Sequence, residues 1–170
     1  ERLQVASYDL VILGAGSGGY AAALRGSQLG LKVALIERDV LGGTCLHRGC
    51  IPTKALLHAG EIADNVRESA SFGVKSNLLG IDMPEVNKYK DGVVGRLYKG
   101  LQGLVKHRGV DYVTGNGKFV GPNKVMVGDQ VFEGKNVVLA TGSFPKSLPN
   151  LEVDGVQVIN SEHALKLSKV

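Results

Sequence analysis

The chain has no tryptophan, and aromatic residues of all kinds make up only 5% of it. It therefore lacks the stacking platforms on which single-stranded nucleic acids are held. No apolar run approaches the roughly 20 residues that cross a bilayer as a helix, so no membrane span is expected. No block of like charge occurs either: net charge is only +4, and Lys88, Lys90, Lys99, Lys106 and Arg108 are strung along a helical pattern. Such spacing describes a solvated helix face and not a nucleic-acid footprint. Two cysteines are too few for a secreted disulfide scaffold. The N-terminus carries neither Met nor a charged-then-apolar leader. The expectation is a cytoplasmic protein, or an organellar one of matrix or stroma after processing. What the chain has in plenty is glycine, 24 of 170 residues, set among ordinary globular proportions of 44% apolar and 21% charged. At this length it can bury a core, and one domain over residues 1–170 is expected.

The pattern predicts an α/β fold. Tyr8 to Leu13 is a short apolar run, followed by Gly14-Ala15-Gly16-Ser17-Gly18-Gly19 and an Ala-rich helical stretch through Leu29. Gly30 suits a helix C-cap, and Lys32 to Glu37 reads as a buried parallel strand ending in an acid. Ala55 to Arg67 has helical spacing at Leu56, Ala59, Ile62, Ala63 and Val66. Asp82, Met83, Pro84 and Glu85 form an N-cap, an early proline and a capping-box acid, opening a second long helix. Its Gly92, Gly95, Gly100 and Gly103 each weaken it by about 1 kcal/mol against Ala, so packing must hold it. From Asp111 onward, Val113, Phe119, Val125, Val127, Val131 and Phe132 alternate with turn residues and predict a small antiparallel meander. Asn136 to Ala140 predicts a buried strand running into Thr141-Gly142-Ser143.

Gly14-x-Gly16-x-x-Gly19 is weak by itself in so glycine-rich a chain, but strand, helix and a following acid give it its context. Gly14 makes the turn, Gly16 admits a pyrophosphate to the backbone, and Gly19 allows close helix packing. The helix N-terminus supplies free N–H groups and a positive dipole end. Glu37 would accept hydrogen bonds from ribose hydroxyls and disfavour a 2′-phosphate. This chemistry identifies a dinucleotide without separating FAD from NAD.

Both cysteines fall in Gly42-Gly43-Thr44-Cys45-Leu46-His47-Arg48-Gly49-Cys50-Ile51-Pro52-Thr53-Lys54. A disulfide closing so short a loop would be a weak staple, and a reversible dithiol holding two electrons is the better use of the spacing. Cys45, His47, Cys50 and His58 fit no common zinc spacing, so no metal site is expected. His107 and His163 have no evident partner and read as surface residues.

The cysteine segment resembles the GGTCxxxGCxPxK motif of the flavoprotein disulfide reductases. Leu46, Ile51 and Lys54 are most similar to the dihydrolipoamide dehydrogenase branch of that family, although His47-Arg48 stands where Asn-Val is commoner and Thr53 where Ser is. The resemblance implies an FAD/NAD(P)-binding, Rossmann-like three-layer ββα sandwich with a parallel sheet and a small antiparallel meander. It implies that Cys45 and Cys50 form a redox-active disulfide, Cys45 the interchange thiol that meets lipoamide and Cys50 the charge-transfer thiolate against the flavin, with Lys54 near flavin N5. It further assigns FAD contact to Gly14, Gly16, Ser17, Gly19, Glu37, Arg38, Gly43, Thr44, Gly117 of the Gly115-Asn116-Gly117 loop, and Ala140, Thr141, Gly142 and Ser143.

The family continues into an NAD domain and an interface domain, so the resemblance implies that this chain is the N-terminal part of a longer homodimeric enzyme and inactive alone. The activity implied for the parent is oxidation of dihydrolipoamide, carried on a lipoyl domain of a 2-oxo-acid dehydrogenase complex or the glycine cleavage system, with electrons passing through FAD to NAD⁺. The alternatives are another reductase of mercuric or glutathione type, and a non-catalytic flavin-binding fragment.

Overall fold

The computed structural model describes residues 4–169. The chain forms two compact units, one comprising the chain up to Cys45 with Tyr98–Phe144, the other Leu46–Leu97 with the residues from Pro145 onward.

The first unit is the α/β part. Strand β1 (Gln4–Leu13) leads into helix α1 (Ser17–Gln28) and strand β2 (Val33–Glu37). After the second unit come β3 (Asp111–Thr114), β4 (Lys118–Gly121), β5 (Lys124–Val127) and β6 (Gln130–Leu139). One sheet contains all six in the order β3-β2-β1-β6-β5-β4. β1 pairs in parallel with β2 and with β6, and β2 with β3, while β4–β5 and β5–β6 are antiparallel.

Side-chain alternation along the central strands builds two cores. Ile12 of β1 with Val33 and Leu35 of β2 meets Ala23 of α1 and Val105, with Tyr98 and Leu101 packed alongside. Val11, Ala34 and Ile36 point the other way and meet Val125 and Phe132. The sheet is thus covered by helices on one face and by the β5–β6 arm on the other, which gives the Rossmann-like layering. β6 serves both layers because it turns at Gly134, where a Cβ would lie 2.6 Å from the Asn136 carbonyl oxygen and 3.0 Å from the Val11 side chain.

Three expectations change in this unit. Asp111–Thr114 joins the parallel sheet beside β2 and not the meander, because Tyr112 and Val113 register against Leu35 and Ile36. The segments around Val131–Phe132 and Asn136–Leu139 are one strand, and Leu139 is 61% exposed at its end. β1 also begins earlier, at Gln4, since its first residues register against Gln130–Glu133.

The second unit is helical. Helix α2 (Gly43–Arg48) runs into it from the first, and α3 (Cys50–Glu68) follows after Gly49. The helix predicted from Ala55 therefore starts at Cys50: Pro52 is tolerated in the first turn, where its missing N–H would have been unpaired in any case. A 3-10 turn, Ser69–Phe72, ends it. Helix α4 (Met83–His107) opens as predicted, with Asp82 Oδ1 accepting from the Glu85 N–H at 3.1 Å. Its four glycines have open space where a side chain would stand, and the helix is held elsewhere, by Val105 in the first unit and by the buried Lys90 in the second. Helix α5 (Ser161–Ala164) is capped by Asn160. Among the described residues no helix is long and apolar enough to cross a membrane.

Candidate functional site

In the first unit β1, β2, β3 and β6 all run the same way, so their C-terminal ends share one edge. From β1 the chain moves outward through β2 to β3, and β6 then lies on β1's other side. The reversal between β1 and β6 leaves a crevice at that edge, the place where open α/β sheets take ligands.

Backbone geometry shapes the crevice. Gly14 ends β1 with φ +101°, and a side chain there would run into the Ala140 carbonyl. A Cβ on Gly19 would collide with the Gly14 carbonyl, so α1 starts directly against the turn. Gly16 caps α1 without any side-chain hydrogen bond, which leaves the first N–H groups of the helix directed outward.

Glu37 is the hub of this edge. Its Oε2 accepts from the Ala15 N–H at 2.7 Å and its Oε1 from the Asp39 N–H at 3.0 Å. A carboxylate has about four acceptor positions, so these two bonds orient Glu37 and leave capacity for hydroxyl donors. On β3, burial pushes the Tyr112 phenol above its ordinary pKa, and the Glu37 charge adds to this against an opposing hydrogen bond from Thr114.

A cleft of about 240 Å³ opens here, lined by Leu13, Gly14, Ile36, Glu37, Arg38, Gly115, Asn116, Gly117, Thr141, Gly142 and Phe144. It gathers Gly14, Glu37, Arg38, Gly117, Thr141 and Gly142 of the sequence-derived set. Gly117 sits so close to Leu13, Ile36 and Val125 that any side chain would be displaced into the cleft or the core. Ala140 is half-buried at the end of β6, and Ser143 is exposed beyond it. Phe144 was missed by the sequence reading. It is 74% exposed and lies 5.2 Å from the Arg38 guanidinium, ring centroid to carbon. A lone aromatic after a glycine turn, in a chain so poor in aromatics, was the available signal.

The start of the cysteine segment is docked on the same turn. The Gly42 N–H donates to the Ala15 carbonyl at 2.9 Å. Gly43 has φ +60°, and a Cβ on it would lie 2.6 Å from the Gly16 Cα, so only glycine allows the two backbones this approach. Thr44 follows, exposed, and then Cys45, half-buried within α2. Ser17 is exposed at the first turn of α1.

Cys45 and Cys50 are disulfide-bonded to each other. Cys50 is the first residue of α3, a helix of 19 residues. A thiolate formed there would sit at the positive end of the helix dipole. Lys54, one turn further along α3, is exposed. His58 lies 3.2 Å from Glu61, and His163 belongs to the α5 cap, its Nδ1 accepting from the Asn160 N–H at 3.2 Å. His163 therefore has a structural partner that the sequence did not reveal. Among the described residues no group of three or more His, Cys, Asp or Glu side chains is placed to hold a metal ion.

Residues 8–170 match the family model described as pyridine nucleotide-disulphide oxidoreductase. The chain belongs to that family. Among pyridine nucleotide-disulphide oxidoreductases, it is 46% identical over 169 residues to dihydrolipoyl dehydrogenase 1, mitochondrial, of Arabidopsis thaliana, covering 95% of this chain and 33% of that protein. It is 43% identical over 176 residues to dihydrolipoyl dehydrogenase of Bacillus subtilis (strain 168), covering 96% and 37%. Leghemoglobin reductase of Vigna unguiculata is 44% identical over 169 residues, covering 95% and 32%. The chain thus spans about one third of the length of the curated relatives it matches.

Proposed function

We propose that this chain is the FAD-binding part of a dihydrolipoamide dehydrogenase and carries that enzyme's redox-active disulfide. The observation behind the proposal is the contact of Gly43 with Gly16, which seats the cysteine segment on the turn suited to a dinucleotide pyrophosphate. A nucleotide fingerprint and a disulfide segment that starts on the same turn would serve no common purpose in a simple nucleotide binder. They do so where electrons pass between sulfur and a bound redox cofactor.

The residues fit FAD. The free α1 N-terminus and the side-chain-free Gly14–Gly16 turn would take the pyrophosphate, and Glu37 the adenosine ribose. Arg38, Gly117, Ala140, Thr141, Gly142 and Ser143 would border the rest, with Ser17, Gly43 and Thr44 along the phosphate side, and the family resemblance assigns Lys54 to the flavin. When bound, FAD would accept the electron pair from the dithiol and deliver it as hydride to NAD⁺.

The chain's own part is sulfur chemistry. A thiolate of dihydrolipoamide attacks the Cys45 sulfur, the Cys45–Cys50 bond breaks, and Cys50 leaves as thiolate at the head of α3. The second substrate thiol then attacks the mixed disulfide, releasing lipoamide and leaving Cys45 reduced. Two electrons have moved from substrate to protein.

In the same reading the whole protein is an NAD-dependent homodimer. It serves lipoyl carrier domains of a 2-oxo-acid dehydrogenase complex or of the glycine cleavage system, in the cytoplasm or an organellar matrix.

The test is an absorbance spectrum of the full-length protein before and after stoichiometric dihydrolipoamide without oxygen. A flavin spectrum that gains a long-wavelength band is the expected result. Absence of flavin would overturn the proposal, and flavin without a response to this dithiol would move it to a different reductase.

A further inference from the structure

Two-electron opening of the Cys45–Cys50 disulfide, with uptake of one proton, leaves a thiol and a thiolate. A negative charge therefore appears between α2 and α3 each time the pair is reduced. Arg48 lies inside that segment, in the last turn of α2. Its Nε is 3.9 Å from Glu162 Oε1 of α5, and the two side chains are 38% and 37% exposed.

Glu162 is not there by chance of a loose tail. Asn160 Oδ1 accepts from the Glu162 and His163 N–H groups at 3.0 and 3.2 Å. At the other end of the segment Lys90, only 6% exposed, donates to the Leu165 carbonyl at 2.7 Å and to Asn87 Oδ1 at 2.9 Å. Asn87 itself donates to the Leu167 carbonyl at 2.9 Å. Burying an ammonium group is costly unless it is well partnered, so its use on this main-chain segment holds the segment in one place. All of these residues belong to the second unit.

We propose that Arg48 and Glu162 are opposed positioning charges that set the redox poise of the Cys45–Cys50 couple. Arg48 favours the reduced state by facing the new thiolate, and Glu162 tempers it. Lys54 and the α3 N-terminus add positive potential on the same helix as Cys50, so Arg48 adds to a field that is already positive. Neither residue changes a bond: the reductant's dithiol becomes its disulfide while the Cys45–Cys50 bond breaks. The inference rests on the reading that this disulfide cycles.

The experiment equilibrates the full-length flavoprotein with dithiothreitol buffers of defined ratio, alkylates the free thiols and reads the reduced fraction by mass. Arg48→Met is expected to lower the reduced-to-oxidised ratio about two- to fivefold, the range that a partly exposed charge supports. That corresponds to about 10–20 mV for a two-electron couple. Glu162→Gln is expected to raise the ratio by a similar factor, less so when combined with Arg48→Met, and Arg48→Lys to stay near wild type. A purely structural role would move Arg48→Met and Glu162→Gln the same way, because each breaks the same ion pair. Shifts of the same sign, or none, would overturn the inference. Failure of dihydrolipoamide to reduce the wild-type disulfide would instead count against the functional reading, and the dithiothreitol series would still report on Arg48.

Discussion

The Glu37 carboxylate accepts a hydrogen bond from the Ala15 N–H at 2.7 Å, joining the end of β2 to the glycine turn after β1. A second bond, from the Asp39 N–H at 3.0 Å, fixes the other carboxylate oxygen. Glu37→Ala leaves the N–H of the buried Ala15 without its partner. Loss of a hydrogen bond to a charged group costs about 1.5–3 kcal/mol. The chemical-denaturation midpoint of the protein should fall accordingly, and FAD affinity, measured by reconstitution of apoprotein, should fall with it. An unchanged midpoint would mean that the turn holds its shape without Glu37.

Gly43 and Gly100 should respond to alanine in opposite directions. At Gly43 φ is +60° and a methyl would meet the Gly16 Cα at 2.6 Å, backbone against backbone. Gly43→Ala should cost about 1–3 kcal/mol. Gly100 lies on the exposed side of α4 with nothing near its missing Cβ. Gly100→Ala should therefore stabilise the chain, by about 0.5–1 kcal/mol through helix propensity and a less flexible unfolded state. Thermal melts of the two variants decide the matter.

Asp9 makes an acid-sensitive contact. Lys135, 2.7 Å away, and then the Lys32 N–H hold its carboxyl below the ordinary value. A depressed carboxylate pKa adds stability that is fully present above the ordinary value of 3.8 and is lost as pH falls through the depressed one. Lys135 is raised by the same pairing, so its share persists below its ordinary 10.5 and is lost as pH rises through the raised value. The difference in melting temperature between wild type and Asp9→Asn should be steady around neutrality and close in strong acid. Salt should shrink it throughout.

Cys50→Ser in the full-length protein should abolish lipoamide reduction while flavin stays bound. The Cys45 thiolate could still attack the disulfide of oxidised lipoamide and expel one of its sulfurs, giving a mixed disulfide detectable by mass, but no second protein sulfur would be there to resolve it. Full activity in this variant would contradict the assignment of roles.

The parts of this structure that were legible in the sequence are those governed by local rules. The β1–α1–β2 unit shows itself through Gly14, Gly16, Gly19 and Glu37, because turn geometry and strand periodicity act over a few residues. Asp82 reveals the start of α4 for the same reason. The parts that were not legible depend on partners distant in the chain. Nothing in Asp111–Thr114 distinguishes a strand that pairs with β2 from one that joins a hairpin. Only its register against Ala34–Glu37 decides. The start of α3 at Cys50 was hidden by Pro52, whose effect on a helix depends on which turn it occupies. In the candidate site, the pairing of Phe144 with Arg38 was not legible, because it arises where the C-terminal ends of β2 and β6 share one edge of the sheet. The docking of Gly43 on Gly16 was equally hidden, since nothing local to either glycine specifies the other as its neighbour.

Strand β6 pairs with β1 along its whole length, Gln4 against Gln130 and Leu13 against Leu139. Strand β1 thus leaves a ribosome long before one of its two neighbours does. Until then β1 has one free edge, and the Gly14 turn lacks the Ala140 backbone that presses on it. Pairings so distant in sequence close slowly and expose strand edges while they wait. Vectorial synthesis therefore makes the nucleotide edge of the sheet the last part to assemble, and a nascent chain would gain its capacity for the cofactor abruptly, once β6 has docked.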